Sequence, residues 1–404
     1  MKIGVIGLGY VGLVTAVVLS DHGNDLVCVD IDSKKIENLK SGSSPIYEPQ
    51  LDEYLRRNKD KIEFSTNYAS LLGCDAAFIC TPTPTMNGRI DTSYVEESCS
   101  DLRKVNKTCT VIIKSTVVPG TARKIIRDTG MNVVSNPEFT KEGTAIADTE
   151  HPDRIIIGGS YTKTVEEIWG FTDSNVIITT NENAELIKYA SNAFLAMKIS
   201  FINEIADLCE SIPGSDVDVV ANGMGLDKRI APYFLKAGIG FGGSCFPKDT
   251  KALLGFATDL KIPLRLVEAT LEVNDSRITR ALTIIQRVVQ EASLKKIGVL
   301  GIAFKGNTDD TRESRSIKII EELLKLGYSV FAYDPRVTRV PTGSILCRTI
   351  EECIEESDVI VIAGEWDEFK SLEGMDIFKP VIDLKRILNK NLIKHYTGVG
   401  IWTE

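Results

Sequence analysis

Apolar positions along the chain recur with two periods, and their alternation predicts most of the architecture. Lys2–Ile6 is a short β-type run, followed by a helical pattern from Leu13 to about His22 and a second strand over Leu26–Val29 that ends at Asp30. Further strand-like runs at Ala76–Cys80, Val111–Ile113, Met131–Val134 and Arg154–Gly158 have mostly helical stretches between them. Strands and helices alternating at this spacing predict a doubly wound parallel sheet. From about Asn183 to Glu210 neither Pro nor Gly interrupts, and apolar residues recur at Leu186, Ala190, Ala193, Met197, Phe201, Ile205 and Leu208. That predicts one helix of roughly 28 residues and ~42 Å, long enough to span between domains or to carry a dimer interface. Helical stretches over Thr250–Lys261 and Leu264–Ala292 follow. A second, smaller parallel sheet is then expected from strands at Lys296–Gly301, Ser329–Tyr333, Val359–Ile362 and Pro380–Asp383, with a helix over Arg315–Leu326.

Composition narrows the classes. At 404 residues two or three domains are expected, with the 43% hydrophobic and 25% charged content of an ordinary soluble protein. A net charge of −9 argues against a nucleic-acid partner, so any phosphate site must be a local cluster of Lys and Arg. Nine cysteines without C-x-x-C spacing fit a reducing compartment, and the chain enters a strand at once, without a signal peptide. No apolar run approaches 18 residues. A cytoplasmic protein with no membrane contact is expected. The three histidines, His22, His151 and His395, lack ligand spacing, which predicts no metal and leaves proton transfer to Lys, Asp, Glu or water.

The candidate chemistry begins at the first strand. Gly7-Leu8-Gly9-Tyr10-Val11-Gly12 stands between strand and helix, with Asp30 at the end of the next strand. This is a dinucleotide fingerprint in its required context: Gly7 for the tight turn, Gly9 for the pyrophosphate, Gly12 for close packing, with Tyr10 and Val11 at the helix start. Asp30 favours NAD over NADP by accepting from the ribose hydroxyls, while Lys35 leaves NADP tolerance open. The expected fold class is therefore α/β: two Rossmann-like doubly wound parallel-sheet domains, residues 1–182 and 293–404, joined by an all-helical central domain, residues 183–292. Thr81-Pro82-Thr83-Pro84, Lys114-Ser115-Thr116 and Asn136-Pro137-Glu138-Phe139 fall at strand carboxyl ends, where ligands of such sheets lie. Lys188 and Asn192, four apart on the long helix, share a face. Gly240-Phe241-Gly242-Gly243-Ser244-Cys245-Phe246-Pro247-Lys248-Asp249 places a cysteine at a helix start, with Ser244 the expected N-cap. A thiol there meets the positive helix end, which favours its nucleophilic thiolate, although a buried structural cysteine fits the local sequence too. Gly298-Val299-Leu300-Gly301 resembles a degenerate fingerprint, and Lys305, Arg312 and the Lys385-Arg386 pair supply charge for a diphosphate.

With these residues placed, the chain from residue 1 to about 390 resembles the UDP-glucose/GDP-mannose dehydrogenase family. The segments that carry the resemblance are GLGYVGL, KSTVVPGT, NPEFTKEGTA, ELIKYASNAFLAMKI, FLKAGIGFGGSCFPKD and GIAFKGNTDDTRES. The resemblance implies oxidation of a sugar-nucleotide C6 alcohol to a carboxylate with two NAD⁺, and FGGSCFPKD and TDDTRES look like the branch that acts on UDP-glucose to give UDP-glucuronate. Cys245 matches the family nucleophile, which forms a thiohemiacetal and then a thioester. Lys188, Asn192 and Asp249 match residues that stabilise the oxyanion and position water. Thr116, Glu138 and Glu142 match the proton-transfer side, with Thr81, Thr116 and Glu142 also toward the cofactor. Glu138, Phe139, Phe241 and Gly242 face substrate. Lys236 and Arg229 match the sugar-nucleotide clamp, Arg229 reaching in from the partner of a homodimer. Phe304, Lys305 and Arg312 match the hinge between the second sheet, substrate and NAD. Thr140 departs from the Leu usual in the family, and Asp383-Leu384-Lys385-Arg386 replaces Asp-Gly-Arg, leaving open whether Lys385 or Arg386 contacts UDP. Competing readings are a dehydrogenase of another sugar nucleotide, a two-electron hydroxyacid-type dehydrogenase, and a dinucleotide-sensing regulator. The last two leave the Cys245 loop unexplained.

Overall fold

Most of the first strands are buried on both faces, as a sheet covered on two sides requires, and only the edge strand Ile62–Ser65 exposes one. In the computed structural model, which describes residues 1–86, 88–291 and 293–402, they are β1 (Lys2–Ile6), β2 (Asp25–Val29), β3 (Ile62–Ser65) and β4 (Ala76–Ile79). A two-residue hairpin, β5 (Thr85–Met86) and β6 (Arg89–Ile90), precedes β7 (Thr110–Ile113), β8 (Val133–Ser135), β9 (Arg154–Gly158) and β10 (Asn175–Thr179). Between them lie α1 (Tyr10–Asp21), α2 (Ser33–Lys40), α3 (Leu51–Arg57), α4 (Ser93–Val105), α5 (Thr121–Thr129), α6 (Ala145–Glu150) and α7 (Thr162–Ile168). The sheet order is β10-β9-β8-β7-β4-β1-β2-β3. Ile3 and Val5 of β1 pack on one side with Leu13 and Val17 of α1, while Ile6 joins Val95 and Leu102 of α4 on the other. β9, expected among the parallel strands, meets β8 antiparallel at Ser135–Gly158. The link between them holds only the short α6, whereas a parallel return needs a full crossover.

The helical middle is α8 (Asn181–Cys209), α9 (Val217–Gly225), α10 (Phe246–Asp259) and α11 (Arg265–Glu291). Ala292, the expected end of α11, lies outside the described residues. α8 has 29 residues, about 43 Å at 1.5 Å per residue. The second sheet comprises β11 (Lys296–Leu300), β12 (Ser329–Tyr333), β13 (Ile345–Leu346), β14 (Val359–Ile362), β15 (Val381–Asp383) and β16 (Tyr396–Gly398), with α12 (Arg315–Lys325) and α13 (Ile350–Glu356). It is parallel throughout, in the order β13-β12-β11-β14-β15-β16.

Two compact units result: Met1–Ser191 with Lys251–Leu260, and Asn192–Thr250 with the chain from Lys261 onward. The chain passes between them three times: within α8, within α10 and just after α10, between Leu260 and Lys261.

Candidate active site

In the first unit the glycine turn has the shape a dinucleotide needs. Gly7 has φ +90°, and a Cβ on Gly12 would lie 1.9 Å from the Gly7 carbonyl oxygen, so the close turn-to-helix approach admits no side chain. A Cβ on Gly9 would meet nothing within 4 Å, which leaves the approach to the α1 N-terminus open. Asp30 Oδ2 accepts from the Leu8 amide and the Lys35 ammonium, both at 2.8 Å, and Oδ1 from the Asp32 amide at 3.0 Å. Burial alone raises this carboxyl, but Lys35 and the two amides outweigh it and hold it below the usual carboxylate range. The buried Thr81 hydroxyl has no hydrogen-bond partner. The open glycine, the ionised acid and the unsatisfied hydroxyl fit a dinucleotide, with Gly7–Gly12, Asp30 and Thr81 as the residues that would hold it. Tyr10 is engaged elsewhere as well: its hydroxyl accepts from the Gly143 amide at 2.7 Å.

The strand ends of this unit carry the next group. Lys188 is 3% exposed, and its Nζ donates to Glu138 Oε1 at 2.8 Å. Glu138 Oε2 accepts from the Thr140 amide at 2.8 Å and the Thr140 hydroxyl at 2.9 Å. Burial pushes the Glu138 carboxyl up, and Lys188 and Thr140 more than offset this, so it stays ionised below its ordinary range. Thr140, the departure from the family pattern, thus adds a donor that leucine lacks. Phe139 lies under the Arg154 guanidinium, 4.1 Å from its ring centre, with Lys188 Nζ at 5.4 Å. Thr116 and Glu142 are half-buried on the segments after β7 and β8. Glu48 fixes the turn after Glu142, accepting from Gly143 and Ala145 amides at 2.6 and 2.7 Å.

The second unit presents the thiol. The Cys245 carbonyl accepts from the Asp249 amide at 2.8 Å, the first bond of α10, so the cap falls on Cys245 and not on Ser244. Cys245 is exposed, and Ser244 Oγ stands 3.6 Å from its sulfur. Asp249, 1% exposed, accepts from the Asn192 amide through Oδ2 and from Lys248 Nζ through Oδ1, each at 2.6 Å. The loop before the thiol is pinned at Phe241, whose amide donates to Asn274 Oδ1 at 2.7 Å and whose carbonyl accepts from Arg315 Nε at 2.9 Å. A Cβ on Gly242 would lie 2.3 Å from the Glu313 carbonyl oxygen, and one on Gly243 2.6 Å from the Phe304 ring. The glycines are required because the loop runs directly against the segment carrying Phe304, Lys305 and Arg312.

The cationic residues sort into two kinds. Lys385 Nζ and Lys236 Nζ both address Glu365, at 2.8 and 3.7 Å. Lys385, aided by Lys236, pulls the Glu365 carboxyl down to about 2. Arg386 is instead buried against Asp216 and Asp218, at 2.7 and 2.8 Å, which makes it a structural anchor. Arg229 is held by Asp227 and Arg312 by Asp310, both on the surface.

Sequence reasoning assigned no role to Lys114, Lys248, Glu48 or Glu185. Lys114 is buried over the Trp169 and Phe78 rings, and burial pushes its ammonium down to about 8. Its place in the Lys114-Ser115-Thr116 strand end was the available signal, and Lys248 lies in the cysteine motif itself. Nothing local marks Glu48 or Glu185, whose partners are distant in sequence.

Two glycine-turn sheets that share one order over six strands, one with an open helix N-terminus and an ionised acid, define a dinucleotide-binding α/β class. Residues 1–170, 182–276 and 298–390 match the NAD binding, central and UDP binding domains of one family. The UDP-glucose 6-dehydrogenase of Rhizobium meliloti is 42% identical, covering 99% of each chain. A UDP-glucose dehydrogenase structure from Pyrobaculum islandicum superposes with TM-score 0.92 at 34% identity, over 100% of this chain and 98% of that one. A UDP-D-ManNAc dehydrogenase from Pyrococcus horikoshii follows with TM-score 0.89 at 30% identity, over 99% of both. The chain belongs to the UDP-glucose/GDP-mannose dehydrogenase family, and its cofactor is NAD.

Proposed function

We propose that the protein oxidises the C6 alcohol of UDP-glucose to the carboxylate of UDP-glucuronate through a covalent intermediate on Cys245. Bound NAD⁺ supplies the hydride acceptor for both oxidations, two equivalents per substrate. The observation that carries this reading is the thiol itself. Of nine cysteines, Cys245 alone is exposed, and it caps a helix whose positive end favours a thiolate.

In this reading Lys188, held by Glu138, stabilises the C6 alkoxide, and its proton leaves through Thr116, Glu138 and Glu142. The Cys245 thiolate then bonds to the aldehyde carbon, and Lys188 and Asn192 stabilise the resulting thiohemiacetal oxygen. After the second oxidation, Asp249 and Glu142 orient and deprotonate water. Water adds to the thioester, the C–S bond breaks, and the thiolate returns as the carboxylate leaves. Phe139, Phe241, Gly242, Phe304 and Lys305 line the sugar nucleotide, and Lys236 and Lys385 take its diphosphate from Glu365. Residues 1–182 bind NAD⁺, 183–292 carry the thiol loop, and 293–404 bind UDP.

We also propose a homodimer built on α8, with Arg229 completing the partner's site and Arg312 meeting cofactor. Leu186, Phe194, Phe201 and Leu208 of this helix are 44 to 58% exposed in the single chain. Such a row of large apolar side chains calls for a cover.

The test is the yield of NADH per UDP-glucose, two being expected, with GDP-mannose and a UDP-N-acetylhexosamine as competing substrates. Cys245→Ser should bind both ligands, lose turnover by about a thousandfold or more because its hydroxyl has a far higher pKa, and trap a sugar adduct visible by mass spectrometry. If the serine variant still released two NADH at a normal rate, the thioester route would be excluded.

A further inference from the structure

Glu185 has no part in the chemistry above, yet it is among the most deeply placed carboxylates of the first unit. It lies on α8 one turn before Lys188 and is 3% exposed. Its Oε2 accepts from the Gly120 amide at 2.7 Å and its Oε1 from the Ala122 amide at 2.9 Å. The Ser135 hydroxyl stands 3.4 Å from Oε1. Gly120 and Ala122 open α5, so a carboxylate from another helix caps its N-terminus. The capped turn ends the segment that runs from Lys114 through Thr116. A cavity lined by Ser115, Thr116, Ser135, Pro137, Glu185 and Lys188 lies at this junction.

We propose that Glu185 is a positioning residue, tying the segment that carries Thr116 to the helix that carries Lys188 so that both keep their places for the alcohol oxidation. This rests on the roles given to Thr116 and Lys188 above. The tie depends on two acceptor oxygens meeting two amide donors. A protonated carboxyl keeps only one good acceptor and turns an O–H toward the second amide, so protonation loosens the turn.

Burial pushes the Glu185 carboxyl up to about 7, against the lowering effect of the Ala122 and Gly120 amides and the Ser135 hydroxyl. The charged groups around it are Glu182 on its own helix, which adds to the rise and pairs with Arg123 of α5, and Lys188, which pairs with Glu138. Lys114 at the end of β7 changes charge only at about 8, and Glu138 is held below its ordinary range. Among the groups at this junction, the carboxyl that changes charge near pH 7 is therefore Glu185. Its two consequences run in opposite directions. Because its folded-state pKa is raised, its contribution to stability is present at low pH and is lost as pH rises through about 7. The positioning tie is weak at low pH and forms as pH rises through the same range. A purely structural role would move activity and stability together.

Glu185→Gln keeps the shape but turns an amide N–H toward one of the two donors. Its melting temperature at pH 8 should be unchanged or higher. Its kcat with UDP-glucose and NAD⁺ should fall about tenfold, KM for UDP-glucose should stay within about twofold, and the kcat profile should lose the acid limb that Glu185 gives near pH 7. Amide hydrogen exchange at Gly120 and Ala122, without substrate, should be faster in the variant. In the wild type the same amides, corrected for intrinsic rates, should be less protected at pH 6 than at pH 8. Unchanged protection in both comparisons, or a kcat in the variant equal to that of the wild type, overturns the proposal. A wild type that does not oxidise UDP-glucose overturns the functional reading instead, and the exchange result still decides the tie.

Discussion

β1 and β11 carry nearly the same residues, KIGVI and KIGVL, and each turns at a glycine of positive φ, Gly7 at +90° and Gly301 at +98°. The Gly7 amide donates to Val29 and the Gly301 amide to Tyr333, both at 2.8 Å. Each next strand ends in an acid that accepts from the residue after the glycine, Leu8 to Asp30 at 2.8 Å and Ile302 to Asp334 at 2.7 Å. Beyond this point they part. α1 begins at Tyr10, three residues past its glycine, whereas α12 waits until Arg315. Where the first turn has the open Gly9, the second has Ala303, fully buried. Asp334 also accepts from the amides of Ala303, Arg336 and Val337 and from the Trp366 indole. Its lone pairs are filled from within, while Asp30 is bound by two amides and one ammonium. The same turn thus leaves its helix N-terminus open in one sheet, within the NAD binding domain, and works as an internal brace in the other, and the difference lies in how many donors the fold aims at the acid.

Exchanging each acid should separate the two uses. Asp334→Ala strands five donors in a buried site and should cost about 3 kcal/mol or more in denaturant unfolding, with the NAD⁺ over NADP⁺ preference of the surviving protein unchanged. A variant as stable as wild type would erase the contrast. Asp30→Ala should act mainly on the cofactor: NAD⁺ binding weakens by about tenfold and its advantage over NADP⁺ narrows, as measured by titration with both. A wild type that already uses NADP⁺ as well as NAD⁺ contradicts the role of Asp30. Lys35→Ala gives the smallest change. Lys35 neutralises Asp30 at 2.8 Å, so its loss should favour NAD⁺ over NADP⁺ by a further two- to threefold, the scale of a partly exposed ion pair. A shift toward NADP⁺ contradicts that reading.

The glycine turn, its acid, the strand ends and the cysteine loop were legible because each is a short contiguous pattern with its own local geometry. Short edge elements were not. β3, β10, β13 and β16 stand at sheet edges, where a strand need not carry the two-sided apolar run of β4, β7 and β14, and β5 and β6 have two residues each. On α8 the apolar stripe was visible, but the side it occupies was not. The structure buries Glu185, Lys188, Asn192, Ser200 and Asn203 and exposes Leu186, Phe201 and Leu208. A hydrophobic pattern normally marks the inward face. Here the buried side mixes these polar residues with Ala184, Tyr189, Ala196 and Ile202, so the stripe does not mark it, and only the packing of other segments reveals which side turns inward.

Local sequence therefore determined most of the elements, the Gly7–Gly12 turn with Asp30, and the placing of Cys245 at a helix start, since these depend on neighbours within a few turns. Tertiary structure alone decided that Arg386 anchors Asp216 and Asp218 while Lys385 meets Glu365. It likewise decided that Asp334 is saturated and that Glu185 caps α5. Each of these turns on which donor reaches which oxygen, mostly across tens to well over a hundred residues of chain, and a linear pattern carries no information about distance in space.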